Sequence, residues 1–270
     1  MTETAVAGRH PNELLARPAG FTRDLASVAA RSLRQVRRTP ENLVQPVVIS
    51  LFFFLIFVGA LEGVARAGGM TDFRAFQLPV ATIFAVTGVT RAPALVSDIT
   101  SGYFDRMLVT PTNRLAMLLG LMVSDLVVAV LLTFPVLIVG FITGVRFVTG
   151  PLGLVAFVLT AALWGLVYAG FSYAIALRTG NATVVAQSTM LFFPFVFLTS
   201  SLMPEEQLSG WLSAVSTVNP VTYLLQALRS YISGGWDAGA ALSGLGAIAV
   251  VGLVAIPLAL AALRGRTSRS

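Results

Sequence analysis

Six long apolar segments dominate this sequence, and they restrict the chain to helices that cross a membrane. A bilayer core is about 30 Å thick, so a spanning helix needs about 20 apolar residues. Only 11% of the 270 residues are charged, whereas a soluble domain has roughly 25%. The expected spans are residues 43–61, 76–96, 115–143, 152–177, 183–203 and 240–263. We therefore predict an all-α integral membrane protein with one transmembrane domain, residues 21–263, between tails 1–20 and 264–270.

The composition excludes several kinds of chemistry. All 18 basic residues are arginine, so the chain has no P-loop lysine for nucleotide phosphates and no lysine for Schiff-base chemistry. It has no cysteine, and its single histidine, His10, cannot build a histidine-cluster metal site. We expect no catalytic residue, no metal and no cofactor bound by this chain.

Arginines are distributed unevenly among the loops, and cytoplasmic loops of membrane proteins carry the excess. With the N-terminus inside, the cytoplasmic segments hold Arg9, Arg17, Arg23, Arg31, Arg34, Arg37, Arg38, Arg106, Arg114, Arg178, Arg264, Arg266 and Arg269. The opposite side holds only Arg66, Arg74, Arg146 and Arg229. We expect both termini in the cytoplasm, and this topology signal explains the basic excess without nucleic-acid binding. The first apolar segment begins too late for a cleavable signal peptide, so it is expected to remain as a span.

Residues 21–39 form an amphipathic pattern ahead of the first span. Apolar residues fall on one side of a helical wheel, and Arg31, Arg34, Arg37 and Arg38 fall on the other. The pattern predicts an interfacial helix with its apolar face in lipid and its guanidinium groups toward anionic head groups. The alternative is a positively charged tail without fixed structure.

The loop before the last span, residues 204–239, is expected outside the membrane and has helical periodicity. Asn219 and Pro220 are a typical helix start, with asparagine as N-cap and proline at the first helical position. We predict two short helices in or on the outer leaflet. The alternative is a cover without a role in the mechanism.

Arg91 and Asp125 are the charges expected inside the bilayer, where charged residues are costly and often functional. Their depths from the cytoplasmic ends would let them pair across adjacent helices. The functional alternative is a gate or a proton relay. The structural alternative is an ion pair, or two side chains that reach back to the interface.

The cytoplasmic loop between the second and third spans is the most distinctive polar segment, and it suits the binding of another protein. Its candidate residues are Asp98, Gly102, Asp105, Arg106, Pro111 and Arg114.

This loop resembles the acidic-Gly-Asp-Arg-Pro-Arg loop of the ABC-2 type permeases, the membrane subunits of one class of ATP-binding-cassette exporters. A second signature, with Asn219, Pro220, Tyr223 and Arg229 before the last span, is also similar to that family. The chain looks most like the branch with daunorubicin-resistance and nodulation-factor permeases, and the resemblance covers nearly all of it.

The resemblance implies that two permease copies or homologues pair and that each binds a separate ATPase subunit, which carries ATP and Mg²⁺. Residues 98–112 would be the coupling helix on that ATPase. The implied function is export of a lipophilic drug, lipid or glycoconjugate across the inner membrane of a bacterium, without enzymatic activity in this chain. The implied substrate path includes Phe52, Phe53, Phe54, Phe192, Phe193 and Phe197.

Two other classes compete with this interpretation. A secondary transporter or channel working alone would carry charges at the bilayer midplane and inverted repeats. A membrane-embedded enzyme or assembly factor would carry histidine, cysteine or carboxylate clusters. Only the exporter requires an ATPase bound to residues 98–112.

Overall fold

The computed structural model of the chain describes residues 20–102 and 114–267, and the regular elements in those residues are helical. The helices are α1 Phe21–Arg38, α2 Glu41–Ala67, α3 Phe73–Thr87, α4 Ala92–Thr100, α5 Arg114–Ile142, α6 Gly150–Thr179, α7 Ala182–Met190, α8 Phe192–Phe197, α9 Trp211–Val218, α10 Pro220–Arg229 and α11 Ala238–Thr267. A 3₁₀ turn at Glu205–Gln207 and a π-type turn at Ser230–Gly234 complete the segment between α8 and α11.

Five segments of the described chain are long and apolar enough to cross a membrane. They are Leu43–Ala67, Phe73–Thr100, Leu115–Ile142, Gly150–Thr179 and Ala238–Arg266. The expected span 183–203 is instead a shorter apolar segment, Ala182–Phe197, which is divided at Leu191 into α7 and α8. Pro194 accounts for the division, because a proline ring collides with the carbonyl four residues earlier, here that of Met190, the last residue of α7.

The second span is also interrupted. α3 ends at Thr87, and α4 begins at Ala92 with Pro93 in its first turn. In a continuous helix Pro93 would collide with the carbonyl of Val89 and would leave that carbonyl without its donor. The break therefore lies in the middle of a membrane segment, where irregular backbone persists only if protein or a cavity surrounds it.

The centre of the bundle is α6, whose Phe157, Trp164 and Tyr173 are fully buried. It packs closely against α11, because a Cβ at Gly170 would lie 3.1 Å from the Cβ of Ala255. Small residues at such crossings allow two membrane helices to approach closely and gain van der Waals contact.

α1 is a helix, as the amphipathic pattern predicts, but its apolar side contacts protein rather than lipid. Val28, Ala29 and Val36 are buried, and the helix packs along α5. The Ser124 hydroxyl donates a hydrogen bond to the Ser32 hydroxyl over 2.8 Å. The expectation that this side lies in the bilayer is therefore wrong for these residues, because α5 offers an apolar surface of its own.

Contacts define two opposite ends of the bundle. At the α1 end, Arg31 contacts Asp98, and the Arg266 guanidinium donates to the carbonyl of Leu177 over 3.1 Å. At the α10 end, Arg229 contacts the carbonyl of Ser200, and Arg74 donates to the carbonyl of Thr143 over 2.8 Å. The last turn of α11 lies at the α1 end, so the first and last described helices reach the same end of the bundle.

Candidate functional site

A cavity of about 560 Å³ lies between the end of α1, α2, the α3–α4 break and the α7–α8 segment. Its walls are largely apolar, with Phe84, Phe192 and Phe193 among the lining residues. Polar side chains also reach it, including those of Gln35 and Thr189. A concave, mainly apolar site with a few polar groups is the usual form of a small-molecule binding site.

Arg91 is the only charged residue in the described lining of this cavity. It is 7% exposed, and its Nε has no hydrogen-bond partner among the described residues. The α3–α4 break places it there, since Arg91 is the residue immediately before α4. A buried guanidinium without an acceptor is energetically costly, which marks this position as a candidate binding site.

The Asp125 carboxylate accepts a hydrogen bond from the backbone of Arg91 and not from its guanidinium. Its Oδ1 accepts the Arg91 backbone N–H over 2.9 Å, and its Oδ2 accepts the Tyr173 hydroxyl over 2.5 Å. In the described part of the chain the two side chains form no ion pair within 4.0 Å. Arg91 and Asp125 therefore lie close together, and the ion pair that was one of the alternatives is not formed between their side chains in the described residues.

The six phenylalanines expected on a substrate path separate into two groups. Phe192 and Phe193 line the cavity. Phe53 and Phe197 both contact the cavity residue Phe84, and their ring centroids lie 5.4 Å and 6.0 Å from that of Phe84. Phe54 is instead buried in the core, and Phe52 is 57% exposed on the outside of α2. Sequence reasoning missed Phe84, because one aromatic residue in an apolar span carries no signal of its own.

The polar loop is described only at its two ends. The Asp98 carboxylate pairs with the Arg31 guanidinium over 2.6 Å, and Gly102 has a φ of +70°, which favours glycine. Asp105, Arg106 and Pro111 lie outside the described residues. Arg114 begins α5.

Arginines of α1 surround a second hollow beside this loop, called the basic pocket below. It has a volume of about 420 Å³ and is lined by Arg31, Arg34, Gln35, Arg38 and Asp98. Arg34 and Arg38 are exposed, as is Arg37 in the same turn of α1. The predicted polar side of α1 is therefore open to solvent or to a partner.

The second signature stabilises the α10 end of the bundle. Asn219 caps α10, because its Oδ1 accepts the Val221 N–H over 3.0 Å, and Pro220 is the first helical residue, as predicted. The Asn219 amide also donates to the carbonyls of Phe195, over 2.7 Å, and Leu198, over 3.2 Å. Phe195 is in the last turn of α8 and Leu198 is the residue after it, so the Asn219 side chain caps the start of α10 and also binds the end of α8.

Arg229 connects three segments at the same end. Its guanidinium donates to the Ser200 hydroxyl over 3.0 Å, to the Ser200 carbonyl over 2.8 Å and to the Phe76 carbonyl over 3.2 Å. It also lies 3.5 Å from the centroid of the Phe76 ring. Burial lowers the pKa of Arg229 to about 9, so the group stays charged at neutral pH. The Tyr223 hydroxyl has a local role and donates to the Thr217 carbonyl over 2.6 Å.

The five apolar spans, the two interrupted segments and the largely apolar cavity are typical of a multi-pass membrane protein of the transport class. Residues 23–232 match the ABC-2 type transporter family, which is more than half of the sequence, and the chain belongs to that family. Permeases of this family generally work with an ATP-binding subunit.

Two relatives are permeases named for drug resistance. The chain is 28% identical over 249 residues to the "Daunorubicin resistance ABC transporter permease protein DrrB1" of Streptomyces coeruleorubidus, covering 88% of each chain. It is 25% identical over 152 residues to the "Probable doxorubicin resistance ABC transporter permease protein DrrC" of Mycobacterium tuberculosis, covering 56% of this chain and 55% of the relative.

Proposed function

We propose that this chain is the permease subunit of an ATP-binding-cassette exporter in the cytoplasmic membrane of a bacterium. It moves a lipophilic drug, a lipid or a glycoconjugate outward, and a separate ATPase subunit supplies the energy. Family membership and the drug-resistance relatives support this function.

The observation that carries the proposal is the position of α4. This helix begins at the break where Arg91 faces the cavity, and it ends at Asp98–Gly102, where the polar loop begins. Its nine residues extend about 14 Å at 1.5 Å per residue. A displacement of the loop by a bound ATPase therefore reaches the cavity wall through one short rigid helix.

Asp98 connects the same loop to α1. The Arg31–Asp98 ion pair holds the two elements together, and α1 in turn is packed along α5. ATP and Mg²⁺ on the ATPase would drive the change by binding one arrangement of these helices more tightly than the other. In this scheme the permease itself carries out no hydrolysis.

The arrangement of the spans supports a cytoplasmic location for the α1 end. We infer that α7 and α8 make a sixth, shorter crossing, because Leu177 precedes them at the α1 end and Ser200 follows them at the α10 end. Six crossings return both termini to one side, where most of the arginines are found.

A second permease copy or homologue completes the proposed transporter. α2 exposes Val44, Val48, Phe52, Leu55 and Ile56 along one side. Such a side suits either lipid or a second transmembrane subunit. Either partner would close the outer wall beside the cavity.

The proposal is tested by isolating the tagged chain from its native membrane in mild detergent and identifying what accompanies it by mass spectrometry. An ATPase with a P-loop should co-purify with the wild type and be lost from Asp105→Ala/Arg106→Ala. The matched control is Arg146→Ala, which removes an arginine near the α10 end and should retain the ATPase. A well-folded wild-type chain without any ATPase would contradict the proposal and favour a transporter or channel working alone.

A further inference from the structure

The described walls of the cavity carry one cationic side chain and no carboxylate. Only 7% of the surface of Arg91 is exposed, and Arg91 is the only charged residue in the described lining. Its Nε has no partner there, and no described carboxylate lies within 4.0 Å of the guanidinium. A charge inside a span normally faces an opposite charge or a polar pathway, so this position is suited to receive an anion.

Asp125 attracts the Arg91 guanidinium through its charge, but it does not bind the guanidinium directly. Both of its oxygens are engaged, one by the Arg91 backbone N–H and the other by the Tyr173 hydroxyl. Asp125 is not among the residues that line the cavity. The carboxylate therefore leaves the guanidinium donors of Arg91 free to bind a molecule inside the cavity.

The remaining lining suits a molecule that has one polar part and one apolar part. Gln35, Gln45 and Thr189 supply hydrogen-bonding groups, whereas Phe192 and Phe193 supply broad apolar contact. A purely polar anion would leave the aromatic wall exposed to water, and a purely apolar molecule would leave the guanidinium without an acceptor. An amphiphile satisfies both parts of the wall.

The basic pocket, which lies at the surface, also favours anions over cations. It shares Gln35 with the cavity, and Arg34 and Arg38 line it without a described ion pair. Arg31, which lines it too, pairs with Asp98. Positive groups beside an opening raise the local concentration of anions and repel cations. The two hollows, which share Gln35, therefore both carry arginine side chains.

We propose that this cavity binds amphiphiles with an anionic oxygen head group, a phosphate or a carboxylate, which Arg91 holds while the apolar tail lies against Phe192 and Phe193. A guanidinium presents donors in a planar fork that matches the oxygens of both groups. This inference names the substrate class of the proposed exporter, and it rests on the proposed function only for the export of the bound molecule.

The test is a binding experiment on the purified chain in dodecyl maltoside micelles, without an ATPase, so it stands apart from the test of the proposed function. Three dansyl-labelled probes share one undecyl tail and end in a phosphate, a hydroxyl or an amine. Energy transfer from tryptophan to dansyl, above that in empty micelles, reports binding. The phosphate probe should bind about tenfold more tightly than the alcohol, because hydrogen bonds to a charged group carry that much affinity. The amine should bind more weakly than both.

Variants at Arg91 assign the preference to that side chain. Arg91→Gln should lower the affinity for the phosphate probe to that for the alcohol probe. The affinity for the alcohol probe should stay unchanged. Arg91→Lys should keep part of the preference, and Arg146→Gln should keep all of it. Gel filtration establishes that each variant is folded, and the comparison of head groups on the wild type requires no variant.

Two results would overturn the inference. One is equal affinity of the wild type for all three probes, and the other is a phosphate preference that persists in Arg91→Gln. A competition experiment separates an amphiphile from a free anion. Unlabelled undecyl phosphate should displace the probe far more effectively than inorganic phosphate, and equal displacement would contradict the role of the aromatic wall.

Discussion

The backbone N–H of Arg91 donates a hydrogen bond to the Asp125 carboxylate over 2.9 Å, although the two side chains form no ion pair. The break between α3 and α4 leaves backbone groups without helical partners inside a span, where lipid offers none. Tyr173 holds the other oxygen of the same carboxylate. Asp125 therefore stabilises the broken shape of the second span through direct hydrogen bonds, and it interacts with the guanidinium only through its charge.

Replacement of Asp125 by alanine should destabilise the protein by about 2–4 kcal/mol. Two buried donors, the Arg91 N–H and the Tyr173 hydroxyl, would lose their acceptor, and each such loss costs about 1–3 kcal/mol. Asp125→Asn should cost less, because the amide oxygen still accepts a hydrogen bond. Thermal unfolding in detergent, followed by tryptophan fluorescence, measures the difference. Equal stability of the alanine and asparagine variants would contradict the bonding described here.

The charge exchange Arg91→Asp with Asp125→Arg should fail to restore the stability lost in Asp125→Arg alone. In the wild type the acceptor at position 125 binds a backbone N–H, which the exchange does not move, and the two side chains form no ion pair. The same unfolding measurement decides the point. Recovery of wild-type stability in the double variant would instead show that the side chains pair.

Reversal of the Arg31–Asp98 ion pair should reduce ATP-driven export more than it reduces stability. The pair is partly exposed, with 37% and 26% of the two side chains accessible, and such pairs contribute less than about 1 kcal/mol. Arg31→Asp and Asp98→Arg should each weaken export into inside-out vesicles that contain the ATPase, and the double variant should recover part of it.

Arg37→Asp is the matched control for that experiment, because Arg37 is exposed on α1 and lines neither the cavity nor the basic pocket. Export by this variant should exceed that of Arg31→Asp. A double reversal with no recovery at all, in folded protein, would argue against transmission through the pair.

Substitution of Gly120 by alanine should displace α1 from α5. The added Cβ would lie 2.8 Å from the Cβ of Val28 and 2.9 Å from the carbonyl of Leu25, and overpacking of this kind costs about 1–3 kcal/mol. Limited proteolysis should then cleave near α1 faster than in the wild type. Gly59→Ala is the control, since nothing lies within 4 Å of a Cβ there, and unchanged proteolysis of Gly120→Ala would refute the close contact.

Removal of the Arg229 side chain should destabilise the α10 end by about 3 kcal/mol, because several hydrogen bonds from a charged group are lost together. Arg229→Lys should recover less than half of that, since an ammonium group lacks the planar fork that reaches both Ser200 and Phe76. Ser200→Ala, which removes the hydroxyl and keeps the carbonyl, should cost about 1 kcal/mol. Full recovery with lysine, measured by thermal unfolding, would show that charge alone matters.

The helical architecture could be predicted from the sequence because long apolar segments and capping residues act locally. The start of α10 at Asn219 and Pro220 is one example, and the helical form of α1 is another. The break before Ala92 was not foreseen, although Pro93 was visible in the sequence. Prolines also lie inside α2, α5 and α11 without ending those helices, so a proline alone does not determine where a span divides.

The tertiary partners of the charged residues were less predictable. The sequence placed Arg91 and Asp125 at similar depth, but only the fold shows that a backbone N–H takes the carboxylate. Likewise, the pairing of Arg31 with Asp98 joins two elements 67 residues apart. An apolar face such as that of α1 looks the same whether lipid or another helix covers it, and the presence of α5 beside it is a property of the whole fold.

The shortness of the α7–α8 segment has a consequence for the surrounding bilayer. With nine and six residues on either side of Leu191, it extends about 24 Å, less than the roughly 30 Å of an average hydrocarbon core. In the proposed topology, where this segment makes the sixth crossing, we expect the bilayer beside it to thin or the residues at its ends to reach the interface. Because Phe192 and Phe193 of this segment also line the cavity, we expect the thickness of the host membrane to affect the shape of that cavity.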